Sequence, residues 1–203
     1  MILQGHGAMT DPVLIDLPTF IETERLLMRA PQAGDGAMLH AAVTESLPEL
    51  RRYLASLPWV AGEQSIDSSE IYCRNAQANF MARRDLPFLL LEKTSGQVVG
   101  ATGLHRTEWG TLKTEIGYWS RSSKAGNGFI TEAVAALTIY ALANLRAARI
   151  EIVTDEENTA SRGVAERCHF VLEGIHRNER RAPDGTLRNT CIYARTPPEI
   201  GLE

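Results

Sequence analysis

The chain has 203 residues, 44% of them hydrophobic, and a formal net charge of -4. That length can bury a sizeable core and favours a single domain, with 1–19 as an N-terminal tail and 20–203 as the folded unit. The negative balance argues against a surface built for nucleic acid, no apolar run approaches a membrane span, and a signal-peptide pattern is missing, so a cytoplasmic protein with no nucleic-acid or membrane partner is expected.

The elements follow in order. After the unpatterned opening MILQGHGAMT, the stretch FIETERLLMR predicts a strand near Leu26 to Arg29, and APQAGDG stops it before a helix opening at Asp35. Three helical stretches are expected in this half: Asp35 to Glu45, Leu47 to Ala55, and Ser65 to Arg84. From Pro87 the texture changes. Two strands with a turn at Thr94 to Gly96 are followed by a third at TEIGYW, and then by a helix over Gly128 to Leu145, whose apolar residues fall at helical spacing. RIEIVTD alternates as a strand, NTASRGVAERC reads as a short helix, and FVLEGIHRNERRAPDGTLRNTCIYAR reads as a hairpin turning at Pro183 to Gly185. The result is an α+β, or mixed α/β, fold whose C-terminal edge strands make a homodimer possible. Cys73, Cys168 and Cys191 show no ligand spacing, so they are expected to be reduced thiols packed as small hydrophobes, and no metal is expected.

The run RSSKAGNGFITEA, between the third of these strands and the longest helix, presents unpaired N–H groups and the positive end of a helix dipole. Gly126 and Gly128 allow close backbone approach, with Lys124 and Arg121 adding charge, so a phosphate is the natural guest; an ordinary turn is the competing reading. The P-loop does not fit, because Gly128 is followed by Phe129 and Ile130 where Lys and Ser or Thr are required. A dinucleotide fingerprint lacks its third glycine.

Four patterns in order, ETERLLMR, EIGYW, GNGFITEAV and ENTASRGVAERCHFVLEG, resemble the GNAT superfamily of N-acetyltransferases, and within it the RimJ/RimL type that acetylates ribosomal-protein N-termini. The likeness spans Glu22 to Ala194. It implies a mixed central sheet splayed around acetyl-CoA as the acetyl donor, with helices on its flanks. In the family's loop pattern Ala125 stands at the usual Gln or Arg, Gly128 at the central glycine and Ile130 at the small position, so two of the three usual residue types are replaced.

The resemblance also implies site residues. Tyr118, Trp119 and Ser120, the loop residues Lys124, Ala125, Gly126, Asn127, Gly128, Phe129 and Ile130, and Asn158 and Ser161 would hold the cofactor. Ser161 would donate a hydrogen bond to the departing sulfur, although Asn158 alone is well explained as a helix N-cap. Glu115 is the first candidate for the general base, with the stretch around Glu179, His176 and His105 as alternatives. Tyr53, Trp59 and Trp109 are the candidate acceptor-binding aromatics. Deprotonating a lysine at pH 7 costs about 4.6 kcal/mol and an α-amine only about 1.1 kcal/mol, so an N-terminal amine needs little base. The expected acceptor is therefore a protein N-terminus. A small-molecule amine, or a non-catalytic acyl-CoA-binding or interaction module, is the alternative.

Overall fold

The computed structural model describes residues 11–55, 57–182 and 184–197. Residues 1–10 of the expected tail and Pro183 of the expected hairpin turn lie outside the described residues. The strands are β1 (Phe20–Glu22), β2 (Leu26–Arg29), β3 (Leu86–Glu92), β4 (Val98–Glu108), β5 (Lys113–Ser120), β6 (Arg149–Asp155), β7 (Val171–Arg181) and β8 (Leu187–Arg195). The helices are α1 (Gly36–Leu54), α2 (Pro58–Ala61), α3 (Ile66–Met81), α4 (Phe129–Tyr140) and α5 (Thr159–Arg167). The mixed α/β expectation is borne out. One sheet carries the strands in the order β1-β2-β3-β4-β5-β6-β8-β7, antiparallel throughout except for the β5–β6 pair.

β3 is buried along LPFLLL because helices cover both faces of the sheet. Its Phe88 and Leu90 join α4 residues Val134 and Leu137 in the main core, whereas Leu89 joins Leu39, Val43 and Leu50 of α1 and Cys73 of α3 on the other side. All three cysteines are free and buried, as expected. Among the described residues no helix is long and apolar enough to cross a membrane.

Three differences from the sequence reading have physical causes. FIE forms its own strand, β1, because its edge pairs with β2 from Phe20↔Arg29 to Glu22↔Leu27. The two helices expected over Asp35 to Ala55 are one, α1, running through Pro48. An interior proline costs about 3 kcal/mol, and burial of Leu39, Ala42, Val43 and Leu50 along the same face offsets it. The third helix stops at Met81 rather than Arg84, because Arg83 takes a left-handed φ of 57° and turns its guanidinium back to the carbonyls of Phe80 and Ile15. The Gly128–Leu145 helix has the expected extent, but its last turn, Ala141–Leu145, is a π-helix.

Candidate active site

The site begins where the sheet stops being a sheet. β5 and β6 pair in parallel only at Lys113↔Arg149, Thr114↔Ile150 and Glu115↔Glu151. Beyond that point β5 keeps its partner β4 to Ser120, and β6 keeps β8 to Asp155, but the two strands part from each other. The facing peptide groups of Ile116 to Ser120 and of Ile152 to Asp155 are left without sheet partners, and backbone polar groups in that state need a guest or water. The gap opens into a cleft of about 1700 Å³.

The glycine loop closes one end of this cleft. Gly126 and Gly128 have φ of 78° and 79°, the left-handed region where a side chain is strained. The turn delivers the N-terminus of α4 with the backbone N–H groups of Gly126 to Thr131 lacking an acceptor among the described residues. The first half of the loop is tied to α1. Ser46 Oγ accepts from Ser122 N at 3.0 Å, Glu45 Oε1 accepts from Ser123 N at 2.9 Å, and Arg121 Nε donates to Glu45 Oε2 at 2.6 Å. These bonds, those from Ser123 first, hold the Glu45 carboxyl down at about 2.

The second half of the loop is tied to the start of the chain. Glu132, in the first turn of α4, accepts from Thr23 Oγ1 (2.6 Å), Arg25 N (2.9 Å) and Arg25 Nε (2.6 Å). Arg25 also donates to the Asn127 carbonyl at 2.9 Å and lies over the Phe129 ring at 4.6 Å. Burial opposes ionisation of Glu132, but the bonds from Thr23 and Arg25 outweigh it and hold the carboxyl below its ordinary range. Thr23, Arg25 and Glu132 were not singled out in the sequence. The signal was there, in the ETER motif and in the FITE helix start, but nothing local shows that the two meet across 107 residues.

Most of the expected residues do converge. Tyr118, Trp119, Ser120, Lys124, Ala125, Gly126, Gly128, Phe129, Ile130, Asn158, Ser161, Glu115, Tyr53 and Trp59 all line the cleft. Two do not. Trp109 lies at the β4–β5 turn, at the closed end of the sheet, and packs on the main core. Asn127 turns its amide inward to the Lys124 and Ala125 carbonyls and so shapes the loop from within. Lys124 does not offer a free charge, because Glu92 Oε2 takes its Nζ at 2.7 Å.

Across the gap Asn158 caps α5 by accepting from Ser161 N at 3.1 Å, and this fixes the backbone of Ser161. The Tyr118 hydroxyl donates to the Ser161 carbonyl at 3.0 Å and sits 3.0 Å from Ser161 Oγ. Burial raises the Tyr118 phenol to about 12, so it remains a proton-bearing group at neutral pH. Both Glu115 oxygens accept from the Arg106 guanidinium. On the opposite wall Trp59 meets Trp119 at a tilted 6.2 Å, and Tyr53 donates to the Glu157 carbonyl at 3.3 Å, linking α1 to the start of α5. The β7–β8 hairpin contributes Arg180, Arg181 and Arg188, also missed in the sequence.

This donor set suits an elongated ligand with a pyrophosphate at the free N–H groups of the loop and an amide-bearing arm between the parted strands. Among the described residues no group of three His, Cys, Asp or Glu is placed to hold a metal. Comparison with known proteins agrees with the geometry. Residues 25–171 match the family described as Acetyltransferase (GNAT) domain. An uncharacterized N-acetyltransferase, p20, of Bacillus licheniformis is 28% identical over 172 residues, covering 85% of this chain and 93% of that one. The ribosomal-protein-serine acetyltransferase of Escherichia coli (strain K12) is 30% identical over 120 residues, covering 59% and 65%. The solved structure of RimL, the ribosomal L7/L12 alpha-N-protein acetyltransferase in complex with coenzyme A, superposes with a TM-score of 0.78 at 22% identity, covering 89% of this chain and 97% of that one.

Proposed function

Because the chain belongs to the GNAT acetyltransferase family and is an acetyl-CoA-dependent N-acetyltransferase, we propose that its acceptor is the N-terminal α-amine of a protein such as a ribosomal protein. The observation that carries this reading is the size and continuity of the cleft. Pockets for a single ligand run to about 1,000 Å³, whereas this one, at about 1700 Å³, continues past the loop and the parted strands to the α1–α2 wall and the β7–β8 turn. There is room for a cofactor and for the first residues of an extended polypeptide. The relative that acetylates a ribosomal-protein serine supports the same class.

In this reading acetyl-CoA supplies the acetyl group, and the chain positions both reactants so that the amine attacks directly. The free N–H groups from Gly126 to Thr131 would grip the pyrophosphate, and the unpaired edges of β5 and β6 the arm. Ser161, with Tyr118 behind it, would donate a hydrogen bond toward the leaving sulfur. Glu115 would act by its charge rather than as a base, since Arg106 occupies both of its oxygens. The test is a comparison of protein N-termini by mass spectrometry in cells with and without the gene. Loss of acetylation at defined N-termini is the expected result. Unchanged N-termini, with turnover of small amines in vitro, would move the acceptor to the small-molecule class.

A further inference from the structure

Gly103 on β4 and Gly117 on β5 stand opposite each other in the sheet. Glycine weakens a strand interior, and a facing pair leaves a hole on the sheet surface. The hole is filled by the imidazole of His105. A Cβ added at Gly103 would lie 2.8 Å from both Cε1 and Nε2 of that ring, and one at Gly117 would lie 2.9 Å from Cδ2. The Cε1–Nε2–Cδ2 edge of the ring therefore lies over the glycine rung, next to the rung that pairs Thr102 with Tyr118 at the head of the strand gap.

The ring is also held in one orientation. Asp85, just before β3, places Oδ1 2.7 Å from Nδ1. A carboxylate only accepts, so in the neutral imidazole Nδ1 would carry the hydrogen and Nε2 the lone pair. Among the described residues Nε2 has no hydrogen-bond partner and is not buried away from solvent, and His105 lines the cleft. Directly after His105 the strand bulges, with Arg106 at a left-handed φ of 50°, which sends the next side chain to Glu115 instead of to the imidazole. The charged or titratable groups facing the ring are Asp85, Arg106 on β4, Glu115 on β5 and Tyr72 on α3.

We propose that His105 is the general base that takes the proton from the acceptor ammonium, with Asp85 as the positioning residue that fixes its tautomer. One proton passes from the ammonium to Nε2. The free amine forms its bond to the acetyl carbon as the carbon–sulfur bond breaks, its surplus proton goes to the departing thiolate to give the CoA thiol, and the imidazolium returns its proton to water. The assignment rests on the acetyltransferase reading and holds for either class of amine.

The experiment uses the full chain with two acceptors, a serine-initiated tetrapeptide amide and benzylamine, so that failure of the peptide alone would count against the α-amine class and leave the base assignment to be read from benzylamine. His105→Ala, with His105→Gln as a check on folding, should lower kcat/KM about 100-fold and remove the acidic limb of its pH profile, while the melting shift with acetyl-CoA is retained. Added imidazole should fit the cavity over the two glycines and restore activity at least tenfold in His105→Ala. A readout independent of turnover is the nitrogen NMR signature of His105, which should show the Nδ1–H tautomer in the wild type and lose it in Asp85→Asn. Rates within twofold of wild type, a retained acidic limb, or an Nε2–H tautomer in the wild type would overturn the proposal.

Discussion

Replacing Glu132 by glutamine tests whether the start of the chain sets the geometry of the proposed cofactor loop. The carboxylate accepts three hydrogen bonds from Thr23 and Arg25, two of them at 2.6 Å, and its side chain is 18% exposed. A bond to a charged group contributes about 1.5–3 kcal/mol when shielded. Arg25 is 43% exposed, which discounts its share. The amide keeps one acceptor oxygen but turns a donor toward Arg25, so two of the three bonds weaken. We expect a loss of about 2 kcal/mol, or a melting temperature lower by about 4–8 °C in a domain of this size. The same change frees Arg25 from its place beside Asn127 and Phe129, so the N–H groups before α4 lose their fixed direction. Acetyl-CoA affinity, read by calorimetry, should fall at least about fivefold, or about 1 kcal/mol. A lower melting temperature with unchanged affinity would refute the reasoning, since it would make the bracing purely structural.

Ser161→Ala should lower kcat about tenfold with nearly unchanged acetyl-CoA binding, and Tyr118→Phe should do the same to a smaller degree because it removes the partner of Ser161 Oγ; equal rates in stopped assays of CoA release would take the pair out of the proposed chemistry. The Glu45 carboxyl is depressed from 4.5 to about 2 by its bonds to Ser123 and Arg121, so the stability it adds is complete above pH 4.5 and is lost as pH falls through about 2. Urea unfolding from pH 6 to pH 2 should show the gap between wild type and Glu45→Gln closing only at the acid end, and a gap that widened toward low pH would contradict the linkage.

Much of the site was legible in the sequence because its contributions are local. A glycine pair before a long apolar helix, Asn158 three residues ahead of Ser161, and a strand ending in Tyr118 and Trp119 each declare a geometry within a few positions. What could not be read is set by long-range pairing. Lys124 looked like a free charge until β3 placed Glu92 beside it. Glu115 looked like an open carboxylate until a bulge in the neighbouring strand aimed Arg106 at it. Trp109 looked like an acceptor-binding aromatic because it sits in a polar turn, yet that turn folds onto the core. The single helix through Pro48 escaped because local propensity was overridden by burial of one face.

The same long-range logic explains why the site stands where the sheet is weakest. Between β4 and β6 the sheet gives up ladder hydrogen bonds in the β5–β6 gap, side-chain packing at the Gly103–Gly117 rung, and regular pairing at the bulge after His105. Each loss has a chemical consequence: backbone donors are freed, an imidazole is seated, and a guanidinium is aimed at Glu115. A sheet with these defects would slip or close unless held from both sides. β3 does so on one side, with helices covering both of its faces, and β8 on the other, paired to β6 from Ile150 to Asp155. Helix α1 then locks the loop through Ser46 and Glu45, and the ETER segment locks it through Glu132. The opening is therefore a fixed property of the folded chain, and on the proposed reading a cofactor entering it would meet donors already in place, so that a loop with alanine and isoleucine at Ala125 and Ile130 would still serve as a cofactor loop: its grip would come from backbone groups whose direction is set by residues elsewhere.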